Sequence, residues 1–170
     1  MMNIRFWGVR GSIPSPGPDT AGVGGNTSCV EVRHGDSVLI LDTGTGVRRL
    51  GESMLRAAAG RPIEASILFS HVHWDHIQGF PFFTPIFNPA TKLHLYGNPE
   101  DGTLHDMLSK QMTYPTFPVT LDQLPATLDF HPIEPNRRFD VGPFSIEASS
   151  LNHPNGALAF RIDLHDRSVV

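Results

Sequence analysis

The sequence predicts a mixed α/β fold, in which helices pack on sheets whose strands are joined mostly as hairpins. Three observations point there. Short apolar or alternating runs outnumber helical ones, and turn signals such as Gly35-Asp36 and His165-Asp166 separate several of them. A single clearly amphipathic stretch, residues 47–59, supplies a helix to cover a sheet. A doubly wound parallel sheet would alternate strand and helix more regularly.

Taken in order, residues 3–7 form a short apolar-alternating strand. Residues 8–26 are rich in Gly and Pro and form a long loop, a length usually reserved for functional segments. Residues 28–33 and 37–41 are two arms of a hairpin. In residues 47–59, Leu50, Met54 and Leu55 recur at helical spacing, and Gly60 is the stop signal. Residues 65–69 are an apolar run suited to a buried strand, and 92–96 are another. Residues 101–111 read as a helix and 112–119 as a Pro-rich and aromatic loop. Strands follow at 128–132, 139–148 and 158–164, and Ser168-Val169-Val170 begins a returning strand.

Composition narrows the class. With 170 residues, 39% hydrophobic and 18% charged, the chain suits a single soluble domain spanning 1–170. A net charge of -4 without runs of either sign does not give the basic footprint of a dedicated nucleic-acid binder, so no stable nucleic-acid complex is expected. The single cysteine, Cys29, lies in an apolar-alternating run and reads as a small buried residue. The first residues lack a basic stretch followed by an apolar core, and no apolar run approaches the roughly 20 residues of a membrane span. A cytoplasmic address without a membrane partner is the expectation.

The chemistry concentrates at His71-Val72-His73-Trp74-Asp75-His76. In extended backbone, residues two apart point to the same side, so His71 and His73 can grip one ion together. Asp75 and His76 follow as the chain turns, and can face a second ion beside the first. Imidazole and carboxylate are the ligands that borderline divalent metals prefer. Burying such groups without a partner would cost about several kcal/mol, which argues against a chance cluster. A third ligand for the first ion is needed. His153, at the end of an apolar strand and before a Gly turn, is the best candidate. His34, His94, His105, His131 and His165 are scattered singly and read as ordinary surface or core residues.

Together, Leu39-Ile40-Leu41-Asp42 with Thr43-Gly44-Thr45-Gly46, Ser70 through His76, and Asn152-His153-Pro154 resemble the first three motifs of the metallo-β-lactamase superfamily, in order. The opening, Phe6-Trp7-Gly8-Val9-Arg10-Gly11-Ser12-Ile13-Pro14 with Gly25-Asn26-Thr27-Ser28-Cys29, resembles its phosphodiesterase branch, which includes ribonuclease Z and the cyclic-phosphate phosphodiesterases. The resemblance implies a four-layer αββα sandwich, of which the chain supplies the N-terminal half or more, with a dinuclear zinc site in the complete domain. Manganese or iron are alternative metals. His71, His73 and His153 would hold the first ion, and Asp75 and His76 the second. Members add a bridging Asp and a last His further along, and Val169-Val170 resembles the strand leading to that Asp. The chain ends in mid-strand, so an incomplete domain is expected, its open edge covered by a homodimer or a separate C-terminal fragment.

Asp42 has two readings. An Asp before Thr-Gly at a strand end orders the turn with its side chain. In the family, the matching residue orients the metal site, and a carboxylate fixing a ligand histidine does so. Trp74 reads as a packing residue beside the loop. Most of the run Ile77, Phe80, Phe82, Phe83, Ile86 and Phe87 reads as core. Residues 24–26 and 44–46 could offer N–H groups to an anion, although plain turns are the simpler reading. Residues 112–118 form a candidate lip.

A metal ion lowers the pKa of its water from 15.7 toward about 7, making hydroxide available at neutral pH. Asp75 can then take the proton of the attacking water. The reaction expected is hydrolysis of a small-molecule or nucleotide phosphodiester. Lactone, thioester or β-lactam hydrolysis by the same site is the alternative, and a non-catalytic metal-binding module is a third class.

Overall fold

The computed structural model describes residues 1–98 and 102–170. Its larger sheet has the order β1 (Asn3–Gly8), β2 (Cys29–His34), β3 (Ser37–Leu41), β4 (Ile63–Leu68), β5 (Thr91–Gly97) and β6 (Thr127–Pro132). The first three strands pair antiparallel and the rest parallel, so the sheet is mixed. A second, antiparallel sheet has the order β10 (Arg167–Val169), β9 (Ala157–Leu164), β8 (Phe144–Leu151) and β7 (Arg138–Val141). Between β5 and β6 lies α3 (Leu104–Gln111), and α1 (Gly46–Ala58) joins β3 to β4.

Alternation along the strands explains the layering. On one face of the large sheet, Ile40, Ala65, Ile67, Leu93 and Leu95 are buried beneath Val47, Leu50 and Met54 of α1 and Leu104 and Leu108 of α3. Each such Leu or Met stabilises by roughly 1.5–3 kcal/mol relative to exposure. On the other face, Val32, Leu39 and Leu68 meet Phe144, Ile146, Leu158, Phe160 and Ile162 of the second sheet. Helix, sheet and sheet are thus three of the four layers, among the described residues. Among the described residues, no helix is long and apolar enough to cross a membrane.

Most predicted elements stand within a residue or two. Residues 139–148 do not form one strand: the chain reverses at Gly142-Pro143, with Gly142 at φ 55, giving the hairpin β7–β8. Proline has no N–H for a ladder, and glycine accepts the left-handed backbone, so the break is physical. The helix predicted over 101–111 starts at Leu104, where Thr103 and Asp106 form a reciprocal capping box; Asp101 lies outside the described residues. Cys29 is fully buried. Burial first, then the charges of Asp42 and Glu31, push its thiol pKa well up, leaving it unreactive.

Candidate metal centre

Parallel pairing sets the location of the site. Because β3 and β4 run together, with Leu41 beside Leu68, their C-terminal ends emerge at one sheet edge carrying Asp42 and Ser70. The motif follows at once and turns into a single-turn helix, α2 (Trp74–Ile77). The second sheet reaches the same edge, since the Leu158 N–H donates to the Ser70 carbonyl at 2.8 Å. That bond brings the β8–β9 turn, and His153 with it, alongside the motif.

Glycine makes the loop fit. The N–H groups of Thr43 and Gly79 donate to the carbonyls of His76 and Thr43, both at 2.8 Å, so two loops cross backbone to backbone. A Cβ on Gly44 would overlap the Asp75 carbonyl oxygen, and one on Gly79 would overlap that of Gly44. Neither position has room for any side chain. The N–H groups of residues 44–46 are all engaged internally, by Ser28, Thr27 Oγ1 and Thr27, which overturns the anion-binding reading there. The Gly24 N–H is likewise given to Thr20, and the carbonyls of Gly25 and Asn26 serve as acceptors for the first loop.

Three ring nitrogens, one each from His71, His73 and His153, lie within 4.8 Å of one another. His153 Nε2 faces His73 Nδ1 at 3.2 Å. Two imidazole nitrogens so placed satisfy each other only if one carries the proton, whereas a cation would satisfy both along with His71. His71 is held neutral: burial first, then the charge of His76, lower its pKa from 6.5 to about 4, with His73 and His153 adding to this and Asp42 opposing it. A neutral ring with a free lone pair is the form that binds metal.

Beside this trio, His76 Nε2 lies 3.4 Å from Asp75 Oδ2. Two ligand atoms on one tetrahedral ion, at bonds of about 2.1 Å, are separated by about that distance. Asp42, almost fully buried, is the hub behind them. Its carboxylate accepts from His76 Nδ1 at 2.7 Å, Ser70 N at 2.8 Å, Ser70 Oγ at 2.9 Å and Ser28 Oγ at 3.2 Å. With Nδ1 engaged by Asp42, His76 Nε2 faces the Asp75 carboxylate. Burial opposes protonation of His76, but the Asp42 hydrogen bond and the charges of Asp42 and Asp75 outweigh it and raise its pKa.

All five predicted ligands therefore gather at one edge, with Asp42 directly behind His76. Ser70, which the sequence reading did not single out, links the two groups, since its Oγ also lies 3.1 Å from His71 Nδ1. Its place between an apolar strand and the first histidine was the available signal. Trp74 departs from expectation: it is 72% exposed rather than packed. Phe82 and Phe87 are also exposed, while Ile77, Phe80, Phe83 and Ile86 are core. Next to the candidate lip, Gln111 Nε2 donates to the Ile77 carbonyl at 3.2 Å, and Phe117 of the lip meets Phe82 edge to face, both contacts falling just beyond the motif. Of the scattered histidines, His94 pairs with Glu64 at 3.0 Å and sits beside His131 on the sheet, in no contact with this site.

Comparison with known proteins agrees with this architecture. Ribonuclease Z of Crocosphaera subtropica is 26% identical over 169 residues, covering 98% of this chain and 49% of that protein. Ribonuclease Z of Thermoplasma acidophilum is 30% identical over 169 residues, covering 96% and 49%. The chain thus spans about half the length of the curated relatives it matches. The crystal structure of the metallo-beta-lactamase fold protein YhfI from Bacillus subtilis aligns with a TM-score of 0.69 at 22% identity, covering 99% of this chain and 60% of that one. The family model for the metallo-beta-lactamase superfamily matches residues 22–167. On that match, and with the histidine cluster at the sheet edge, the chain belongs to the metallo-β-lactamase superfamily.

Proposed function

We propose that this chain carries the metal-binding part of a zinc-dependent phosphodiesterase. The observation that carries the reading is the three-histidine cluster beside the Asp75–His76 pair. His71, His73 and His153 would hold one divalent ion, and Asp75 and His76 would contribute to a second. Bound there, such ions would acidify water toward a pKa of about 7 and neutralise charge on phosphoryl oxygens. Asp75 takes up the proton of the attacking water, and Asp42 keeps His76 in one tautomer and orientation. No serine or cysteine nucleophile is required, and Cys29 is fully buried.

The choice of phosphodiester over other substrates rests on two supports. The relatives are named ribonuclease Z, and ribonuclease action is phosphodiester hydrolysis. The opening, residues 6–14 with 25–29, is also the part of the chain that resembles the phosphodiesterase branch. A nucleotide or small-molecule phosphodiester, met in the cytoplasm, is the proposed substrate, and the net charge of -4 favours transient contact over a lasting nucleic-acid complex. The longest encoded form of the protein is expected to hydrolyse bis(p-nitrophenyl) phosphate, to lose this activity to a chelator, and to regain it with zinc or manganese. Rapid cleavage of a lactone or thioester, with none of the phosphodiester, would reject the proposal.

A further inference from the structure

The long first loop makes one contact with the centre that its sequence does not advertise. The Ser12 backbone N–H donates to Asp75 Oδ2 at 2.8 Å, across 63 residues of chain. Ser12 has φ 67, a left-handed conformation uncommon for a residue with a side chain. The turn around it is tight, with the Ile13 N–H returning to the Gly11 carbonyl at 2.9 Å. Both flanks are tied down. Val9 and Arg10 donate to the Asn26 carbonyl at 3.1 and 3.0 Å, and Ser15 donates to the Gly25 carbonyl at 2.9 Å. Residue 27 is fixed in turn to the β3–α1 loop, because Thr27 and Thr45 exchange N–H to Oγ1 bonds at 2.9 and 2.8 Å.

We infer that Ser12 is a positioning residue of the centre, whose inward-turned backbone N–H holds the Asp75 carboxylate beside His76. The oxygen it binds is the same one that lies 3.4 Å from His76 Nε2. An N–H donor takes one of the carboxylate's several lone-pair sites and leaves the rest for a cation or a proton. Lacking that donor, Asp75 is free to rotate outward, because its side chain sits at the edge rather than in the core. The Ser12 hydroxyl is not what acts: the residue is exposed and its backbone makes the bond. The first loop is thereby a working part of the metal centre rather than a flap beside it. This inference rests on the proposed pairing of Asp75 with His76.

Two substitutions isolate the N–H. Ser12→Gly keeps the donor and favours the left-handed backbone. Ser12→Pro removes the donor and fixes φ near −65°. The histidine ring nitrogens of both variants are compared with the original chain by NMR, without metal and at one pH, followed by titration with zinc alone. In the Pro variant, the His76 Nε2 signal is expected to move while that of His131 stays, and the weaker zinc step to loosen by roughly 10–100-fold. The Gly variant is expected to match the original in both. Should the Pro variant fail to fold, Ser12→Val, whose β-branch disfavours a positive φ, is expected to shift His76 in the same way. Unmoved His76 signals in a folded Pro or Val variant overturn the positioning role. Moved signals with no zinc uptake by any variant, the original included, leave the positioning intact and reject the metal reading alone.

Discussion

Replacing His71 or His73 with alanine is expected to strip the tightly held metal from the protein. Each change leaves two of the three ring nitrogens that lie within 4.8 Å of one another, and a catalytic zinc normally has three protein ligands. Metal analysis after dialysis should show stoichiometry falling from near one per chain toward zero, while His131→Ala retains the ion. The metal-free protein should lose little stability. His71 sits partly desolvated among other imidazoles, and burial and repulsion have already pushed its pKa to about 4. Removing a ring held under such conditions relieves as much as it disrupts, the usual trade at a functional site. Unchanged stoichiometry in both variants would sink the ligand assignment.

Asp42→Ala should have the larger effect on folding. Asp42 is 5% exposed, and its carboxylate accepts four hydrogen bonds, one of them from the Ser70 backbone. Its loss strands those donors, at a cost of roughly 3–5 kcal/mol. In a chain of this length, that corresponds to a fall in Tm of about 10 °C. Asp42 also has φ 60, which alanine tolerates poorly. Asn accepts that backbone and keeps one acceptor oxygen, but offers His76 no negative charge. Asp42→Asn should therefore melt only a few degrees below the original yet bind metal roughly 10–100-fold more weakly. This pair separates the two roles open to the residue. An Asn variant with full metal affinity would mean that Asp42 only orders the turn.

How much was legible in sequence depended on the range of the interaction. His71 and His73 declared themselves because period-two alternation is local, and Asp75 and His76 because they lie in the same six residues. His153 needed more: eighty residues away, it is delivered by the β8–β9 hairpin, and only the missing third ligand made it a candidate. Asp42 was visible as a strand end before Thr-Gly, but its partners Ser28 and Ser70 were not, since antiparallel pairing of β2 with β3 brings the first beside it and parallel pairing of β3 with β4 the second. Ser12 lay in a loop flagged by its length and by the family resemblance of residues 6–14, but its contact with Asp75 was not legible. A backbone N–H carries no residue identity, and its contact depends on a loop path that composition does not reveal. Similarly, an aromatic residue amid ligands suggests packing, and nothing local shows that Trp74 begins a one-turn helix facing outward. At Gly142-Pro143 the turn signal competes with apolar alternation that continues on both sides of it, and the turn wins.

The most direct test of the central claim is X-ray absorption at the zinc edge of the chain loaded with one equivalent of zinc. Three imidazole nitrogens at about 2.0–2.1 Å, with an oxygen completing the tetrahedron, are predicted from His71, His73 and His153. Fewer than three imidazoles, or a sulfur ligand from Cys29, would contradict the account.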